Sequence, residues 1–313
     1  MHKVRQASCQ LHFKVRLIIV SKKALALYFY SISLFLQTIK MQRYLLILEY
    51  DGQGYSGWQR QKDRPSVQQS LEEAIAQLDP KASPVQCAGR TDAGVHAYAM
   101  AAHVDFERSF NSNRIKEALN HFLRNKDIAV LGVIPKAQDF NARFSCLGRS
   151  YVYRILCRRA PLTFERGRVW HVPFSLDLQA MQQAATFLVG KHDFSAFRAR
   201  DCQARSPVKT LDSFTVHQSD EGFLFQTTAR SYLYNQVRNM VGTLYDVGRG
   251  YIAAQDIPAI LESKERERAG LCAPSAGLYF WKAWYDEAQS PEVLGKDFFA
   301  YPAYPAFPFY KGK

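Results

Sequence analysis

The chain has 313 residues, enough for one large domain or two ordinary domains with a real hydrophobic core. Its formal charge is +13, but residues 1–40 hold seven Lys and Arg and no acidic residue, which leaves 34 basic and 28 acidic residues in the remainder. This modest excess supports binding to a polyanion only weakly. The six cysteines form no CxxC pair and no Cys/His spacing typical of zinc, so we predict reduced thiols in a cytoplasmic protein without structural zinc.

Residues 1–40 form a basic segment whose apolar part, residues 24–36, is too short to span a bilayer. No small-x-small cleavage site follows it, which argues against a secretory signal. A transit peptide is an alternative interpretation, because the segment is basic and lacks acidic residues. We favour a third interpretation, in which Met41 begins the folded protein and residues 1–40 are translated upstream sequence. No part of the chain is predicted to associate with a membrane.

Residues 43–50 (RYLLILEY) are typical of a buried strand. The glycines at 52, 54 and 57 then match the GxGxxG pattern of dinucleotide-binding loops. In that pattern the last glycines open a helix, whose N-terminus binds the pyrophosphate. Here Pro65 intervenes, and the helix is predicted to start only at Ser66, with its apolar residues on one face. We therefore reject a nucleotide-binding oxidoreductase and predict no NAD site.

Residues 87–96 (CAGRTDAGVH) are the most distinctive stretch of the chain. A strand-like lead enters a tight polar segment between Gly89 and Gly94, and an alternating strand follows. The predicted loop presents one cation, Arg90, and one carboxylate, Asp92. These residues alone are compatible with two interpretations. One is a functional loop, and the other is an ordinary hairpin turn in which the Asp92 side chain hydrogen-bonds to its own backbone.

The rest of the chain mixes helices with strands. Hydrophobic periodicity predicts helices over 113–123, 176–188 and 234–247, and strands over 85–88, 96–106, 128–134, 140–144, 150–157, 208–216, 222–229 and 278–285. This pattern favours an α+β fold with helices packed on one face of a sheet. Prolines in the aromatic tail, residues 287–313, forbid helix and central strand there, and both a docked arm and a disordered segment stay open.

A basic stretch over residues 143–168 holds seven arginines and one acid, Glu165. Aromatic residues interleave the arginines, which suits contacts to an RNA backbone together with stacking on unpaired bases. Arg198 and Arg205 belong to a second basic set. Each arginine alone is compatible with a solvated strand charge, so the prediction concerns the whole set, which should make RNA binding strongly salt-dependent.

Seven short segments of the chain form a distinctive series: YSGWQRQ at 55–61, GRTDAGVH at 89–96, ARFS at 142–145, RSYVY at 149–153, FSAF at 194–197, QVRNMVG at 236–242 and GLY at 277–279. These segments match, in the same order, the TruA family of tRNA pseudouridine synthases, which the chain resembles from about residue 41 to residue 285. The resemblance implies an α+β pseudouridine synthase fold, in which two related halves share a continuous mixed, mainly antiparallel sheet with helices packed on it. It implies an N-terminal catalytic half over 41–145 and a C-terminal half over 146–286.

Pseudouridine formation is an isomerisation that breaks the bond from the sugar to the base nitrogen, rotates the base and rejoins it through carbon. The resemblance therefore implies no cofactor and no metal. It assigns Asp92 as the nucleophile, Arg238 as its basic partner and Tyr151 as the tyrosine that packs on the base. Arg90 resembles the residue that helps to flip the base out of its stack. Further RNA contacts are expected from Arg143, Arg149, Arg154, Arg198 and Arg205.

The resemblance further implies a homodimer that acts on the anticodon arm of tRNA, at uridines 38, 39 and 40. Asn235 departs from the family pattern, in which a His stands at this place, but no residue assigned to catalysis is replaced. His96 and His103 are predicted to have structural roles. The chemical path of Asp92 stays open, and so do two rival functions: a related synthase with another RNA target, and a non-catalytic RNA-binding protein.

Overall fold

The computed structural model describes residues 41–289, so the predicted extension over 1–40 and the tail beyond residue 289 lie outside the described residues. Within this range, ten strands form one sheet. The strands are β1 (Gln42–Tyr50), β2 (Gln86–Cys87), β3 (His96–Phe106), β4 (Ile128–Lys136), β5 (Gly148–Cys157), β6 (Trp170–Val172), β7 (Gly190–Asp193), β8 (Val208–Ser219), β9 (Gly222–Ala229) and β10 (Leu278–Trp284).

Five α-helices accompany the sheet in the same part of the chain. They are α1 (Val67–Leu78), α2 (Ser112–Leu123), α3 (Leu178–Thr186), α4 (Gln236–Gly248) and α5 (Ile257–Ser263). The α+β class predicted from the sequence is confirmed. Between residues 41 and 289, no helix combines the length and the apolar character needed to cross a bilayer.

The sheet is open, mixed and mainly antiparallel, with the strand order β4-β1-β3-β10-β5-β9-β8-β7. β2 pairs with β3, and β6 pairs with β5. The last strand, β10, lies in the middle of the sheet, where Tyr279 is opposite His96 of β3 on one side and Val152 of β5 on the other. β10 therefore joins the earlier strands to the later ones, and it brings the beginning of β3 close to β5.

The helices form where caps and apolar spacing favour them. α1 begins after Ser66, whose hydroxyl accepts a hydrogen bond from the backbone N–H of Gln69, and this confirms the predicted N-cap. Of the apolar residues predicted to share one face of α1, Val67, Leu71 and Ile75 are buried and Leu78 is half-buried. In α4 the buried apolar residues include Val237, Val241, Leu244 and Val247. Each fully buried Leu or Val contributes about 1.5–3 kcal/mol. The packing of α4 fixes the position of Arg238, which lies in the first turn of this helix.

Two local predictions are wrong. The strand predicted over 140–144 is a turn, because the Asn141 side-chain oxygen accepts hydrogen bonds from the backbone N–H groups of Arg143 and Phe144. Periodicity also missed β6, β7 and α5, which have three, four and seven residues. Elements of this length contain too few residues to show a hydrophobic period.

Candidate active site

The loop between β2 and β3 carries Asp92 and is fixed by hydrogen bonds at its turn and base. The Val95 N–H donates to the Asp92 carbonyl oxygen over 3.1 Å and closes the turn. The hydroxyl of buried Thr91 lies 2.8 Å from the hydroxyl of Tyr50 in β1. The Asp92 side chain stays partly accessible, and Arg90 is exposed next to it in the chain. The loop therefore presents a carboxylate and a cation from a rigid base, as predicted.

The segment over 51–57 packs directly against this loop. A Cβ atom on Gly52 would lie 2.1 Å from the Val95 carbonyl oxygen, and one on Gly57 would lie 2.5 Å from the Thr91 carbonyl oxygen. Gly57 also has a φ of +99°, in the region that favours glycine. The glycines that match a dinucleotide fingerprint thus allow close backbone contact with the loop of Asp92, and α1 begins well after them.

Asp92 forms an ion pair with Arg238, in the first turn of α4. The distance between Arg238 Nη1 and Asp92 Oδ2 is 3.5 Å, and the two side chains are 18% and 23% exposed. Burial raises the pKa of Asp92 above its ordinary value. The charge and hydrogen bonding of Arg238 lower this pKa but do not cancel the effect of burial. Arg238 is therefore the group that favours the ionised form of Asp92.

Arg238 is itself held at two points. Its Nε donates to the Ala273 carbonyl oxygen over 2.7 Å, and its Nη1 donates to Asn235 Oδ1 over 3.2 Å. Asn235 precedes α4 with a φ of +59°, a left-handed conformation that Asn adopts more readily than most residues. The residue that departs from the family pattern therefore holds the cation that pairs with Asp92.

Tyr151 lies in β5, buried between two aromatic rings. The rings of Tyr232 and Phe280 cross it edge-on, with centroid distances of 5.0 and 5.2 Å. Burial raises the pKa of Tyr151; the nearby charge of Arg149 lowers it and that of Asp92 raises it further. Tyr151 is therefore a neutral phenol close enough to Asp92 for the two groups to interact electrostatically.

Four of the six arginines predicted to contact RNA are accessible. Arg90, Arg143 and Arg205 are exposed, and Arg198 is half-buried. The Arg143 guanidinium lies 5.6 Å from the ring centroid of Phe144, which is 75% exposed. The four side chains can therefore reach a bound polyanion.

Arg149 and Arg154 do not lie at the surface. Arg149 is only 8% exposed, and its guanidinium donates to backbone carbonyl oxygens. Arg154 Nη1 lies 3.1 Å from Glu165 Oε2 in a largely buried ion pair. Both belong to β5, a central strand with neighbours on each side, so that their donors are used within the protein. These two guanidinium groups thus bond to the protein itself, and their contact with RNA stays a prediction.

The two histidines near the loop are held by backbone groups. His96 Nδ1 accepts a hydrogen bond from the Gly52 N–H over 3.0 Å, and its Nε2 lies 3.0 Å from the Gly167 carbonyl oxygen. Although Asp51 Oδ1 is only 3.2 Å from Nδ1, burial lowers the pKa of His96, so the neutral ring donates from Nε2. His103 Nδ1 accepts from the backbone N–H of Ala142. These contacts give both rings architectural roles.

The positions of Asn235 and Tyr234 beside the site, and the backbone acceptors of Arg149, were not predicted from the sequence. Asn235 directly precedes α4, three residues before Arg238, and this short spacing could have indicated the contact. Tyr234 is 45% exposed, and its pKa is raised chiefly by the charge of Asp92, so its ring lies near the carboxylate. The three backbone acceptors of Arg149 come from segments far apart in the chain, and no local pattern announces them.

The arrangement combines an accessible carboxylate, a cation that favours its ionised form, and a buried phenol. Such a group can act as a nucleophile or as a base toward a substrate that reaches the accessible side of Asp92. Across residues 41–289, no three His, Cys, Asp or Glu side chains come together as a metal-binding group.

Comparisons with known proteins identify the family of the chain. The family model described as tRNA pseudouridine synthase matches residues 46–145 and 184–286. The tRNA pseudouridine synthase A of Rhodospirillum centenum is 56% identical over 245 residues, which cover 78% of this chain and 100% of that protein. The proteins of the same name from Rhizorhabdus wittichii and Zymomonas mobilis are 51% and 49% identical, over 78% of this chain and 96% and 100% of their own lengths. The chain belongs to the TruA family of tRNA pseudouridine synthases.

Proposed function

We propose that this protein is an isomerase that converts uridine to pseudouridine in tRNA. The observation that carries this proposal is the ion pair between Asp92 and Arg238, whose side-chain atoms lie 3.5 Å apart. Asp92 belongs to a loop whose sequence matches the family signature. The similarity to proteins named tRNA pseudouridine synthase A, over nearly their whole length, supports the same reaction.

In the proposed mechanism, Asp92 is the nucleophile and reacts in its ionised form. The target uridine leaves its stack, at a cost of a few kcal/mol, and enters the cleft beside Asp92. Arg90 is exposed next to the carboxylate in the chain, where it can take the place of the extruded base. Tyr151 packs on the base while the base rotates. Arg238 keeps Asp92 charged against the effect of burial.

We further propose that the substrate positions are uridines 38, 39 and 40 of the anticodon arm, and that a cytoplasmic homodimer binds the tRNA. Residues 41–145 and 146–286 would form the two related halves, with the cleft between them. Arg143, Arg198 and Arg205 would contact phosphates, and exposed Phe144 offers a surface for an unpaired base.

Tritium release from tRNA labelled at uridine carbon 5 tests this proposal. Wild-type protein should release tritium, and Asp92→Asn should abolish release while it retains tRNA binding. Asp220→Asn, an exposed carboxylate in the turn between β8 and β9, is the matched control and should react at the wild-type rate. Mapping of the modified uridines then identifies the positions.

Two results would overturn the proposal. A folded wild type that binds tRNA but releases no tritium would point to a non-catalytic RNA-binding protein. Modification outside the anticodon arm would indicate a related synthase with another RNA target.

A further inference from the structure

Arg149 occupies a position that the proposed chemistry does not use. It lies near the start of β5 and is 8% exposed. Its Nε donates to the Ala88 carbonyl oxygen over 2.8 Å, its Nη2 donates to the Arg143 carbonyl oxygen over 2.7 Å, and its Nη1 donates to the carbonyl oxygen of Arg230. Within residues 41–289, no carboxylate lies within ion-pair distance of this guanidinium. The guanidinium group of Arg149 is therefore hydrogen-bonded to three backbone carbonyl groups.

The three acceptors belong to three segments that build the site. Ala88 directly precedes the loop that carries Asp92. Arg230 follows β9 and begins the segment that leads into α4 and Arg238. Arg143 belongs to the turn that exposes its own side chain and that of Phe144. One rigid guanidinium thus links the catalytic loop, the approach to the helix of its partner cation, and a turn of the proposed RNA surface.

The contacts of Arg149 also reach the site directly. A Cβ atom on Gly89, the first residue of the signature, would lie 3.7 Å from Arg149 Cδ and 3.6 Å from the Tyr151 hydroxyl oxygen. The methylene chain of Arg149 and the phenol of Tyr151 therefore support the same glycine. A planar fork with five N–H donors suits this arrangement, whereas the single ammonium of Lys cannot span three acceptors in fixed directions.

We propose that Arg149 is a positioning residue, which sets the loop of Asp92 relative to the segment that leads to Arg238 and thereby controls the chemical step rather than tRNA affinity. This inference rests on the proposed function, because it takes Asp92 and Arg238 as the reacting pair. A misplacement of about 1 Å in a catalytic group costs about a hundredfold in rate. The loss of three fixed acceptors at the root of the loop permits a displacement of this size.

Arg43 provides a matched control for the general effect of removing such a residue. Its Nε and Nη2 donate to Asp105, and its Nη1 donates to the carbonyl oxygens of Gln138 and Phe140. It therefore links its own strand to two other segments, and its side chain is only 17% exposed. Its partner Asp105 lies at the far end of β3, about 30 Å along the strand from His96, where the catalytic loop ends.

The experiment compares wild type with Arg149→Met, Arg149→Lys and Arg43→Met. Three quantities are measured for each protein: the free energy of unfolding in urea, the Kd for tRNA, and the single-turnover rate of tritium release with saturating enzyme. We expect Arg149→Met to bind tRNA within about threefold of wild type and to react about a hundredfold more slowly. Arg149→Lys should recover only part of the rate, and Arg43→Met should lose stability at an unchanged rate.

Several outcomes would overturn the inference. These are a folded Arg149→Met that reacts at the wild-type rate, an equal loss of rate in Arg43→Met, or a loss confined to tRNA affinity. If Arg149→Met does not fold, full activity of a folded Arg149→Lys would overturn the inference instead. Absence of release by the wild type would instead contradict the proposed function, so the two failures are distinguishable.

Discussion

Replacement of Arg238 by Met tests whether this guanidinium maintains the ionised form of Asp92. Met keeps an unbranched side chain and removes both the charge and the hydrogen-bond donors. At the observed separation of 3.5 Å, two unit charges attract each other by about 4–5 kcal/mol at an effective dielectric constant of about 20. Solvent reaches about a fifth of each side chain and reduces this energy.

The expected effect follows from what an opposite charge does to a nearby carboxyl group. At this range it favours ionisation by about 1.4–4 kcal/mol. Loss of Arg238 therefore lowers the ionised fraction of Asp92 by about 10- to 1000-fold at pH values below the pKa of Asp92 in the wild type, and by less at higher pH. The sign is fixed: burial already raises the pKa of Asp92, and Arg238 is the group that lowers it, so the variant pKa is higher still.

The assay is the pH dependence of single-turnover tritium release between about pH 5 and pH 9. In the proposed mechanism Asp92 reacts as an anion, so the rate decreases as the pH falls through its pKa, and Arg238→Met moves this acid limb to higher pH. Arg249→Met is the control, since Arg249 lies at the other end of α4 and faces Asp246 at 3.7 Å. A lower plateau with an unmoved acid limb in Arg238→Met would refute the electrostatic role.

Two further substitutions test the loop and the RNA surface. Gly57→Ala should lower the free energy of unfolding in urea by about 1–3 kcal/mol and slow the reaction, because its Cβ meets the Thr91 carbonyl oxygen at a positive φ. Gly54→Ala is the control, since its Cβ meets no atom within 4 Å, and equal stability of the two variants would contradict the packing argument. Arg143→Met should reduce the slope of log Kd against log salt for tRNA by about one. An unchanged slope would remove Arg143 from the phosphate contacts.

Most elements of the fold could be predicted from local sequence. Ser66 caps a helix because a hydroxyl can satisfy a free N–H group, and this chemistry needs no distant partner. The pairing of β10 between β3 and β5 could not be predicted from periodicity, because it joins segments remote in the chain. The turn at Asn141 looked like a strand, because the hydrophobic pattern does not register a side chain that bonds to its own backbone.

The residues of the site divide in the same way, into those that local sequence identifies and those whose role depends on distant contacts. The signature loop with Arg90 and Asp92 could be recognised from contiguous residues, and the resemblance of a separate segment, 236–242, assigned Arg238 as the basic partner of Asp92. Arginines in β5 were harder, because a basic residue in sequence looks the same whether it meets solvent or a buried acceptor. Only the three-dimensional structure shows that Arg149 bonds to backbone carbonyls and that Arg154 meets Glu165.

Because β10 pairs between β3 and β5, we expect the site to be completed late in folding. β3 and β5 share no direct pairing, so the sheet has a gap between them until the last strand inserts. Contacts of such long sequence separation form slowly, and before insertion the two flanking strands expose unsatisfied edges. A chain that ends before Leu278 would retain Asp92, Tyr151 and Arg238, yet it would lack the strand that joins β3 to β5. We therefore expect activity to require a strand that contributes no reacting group.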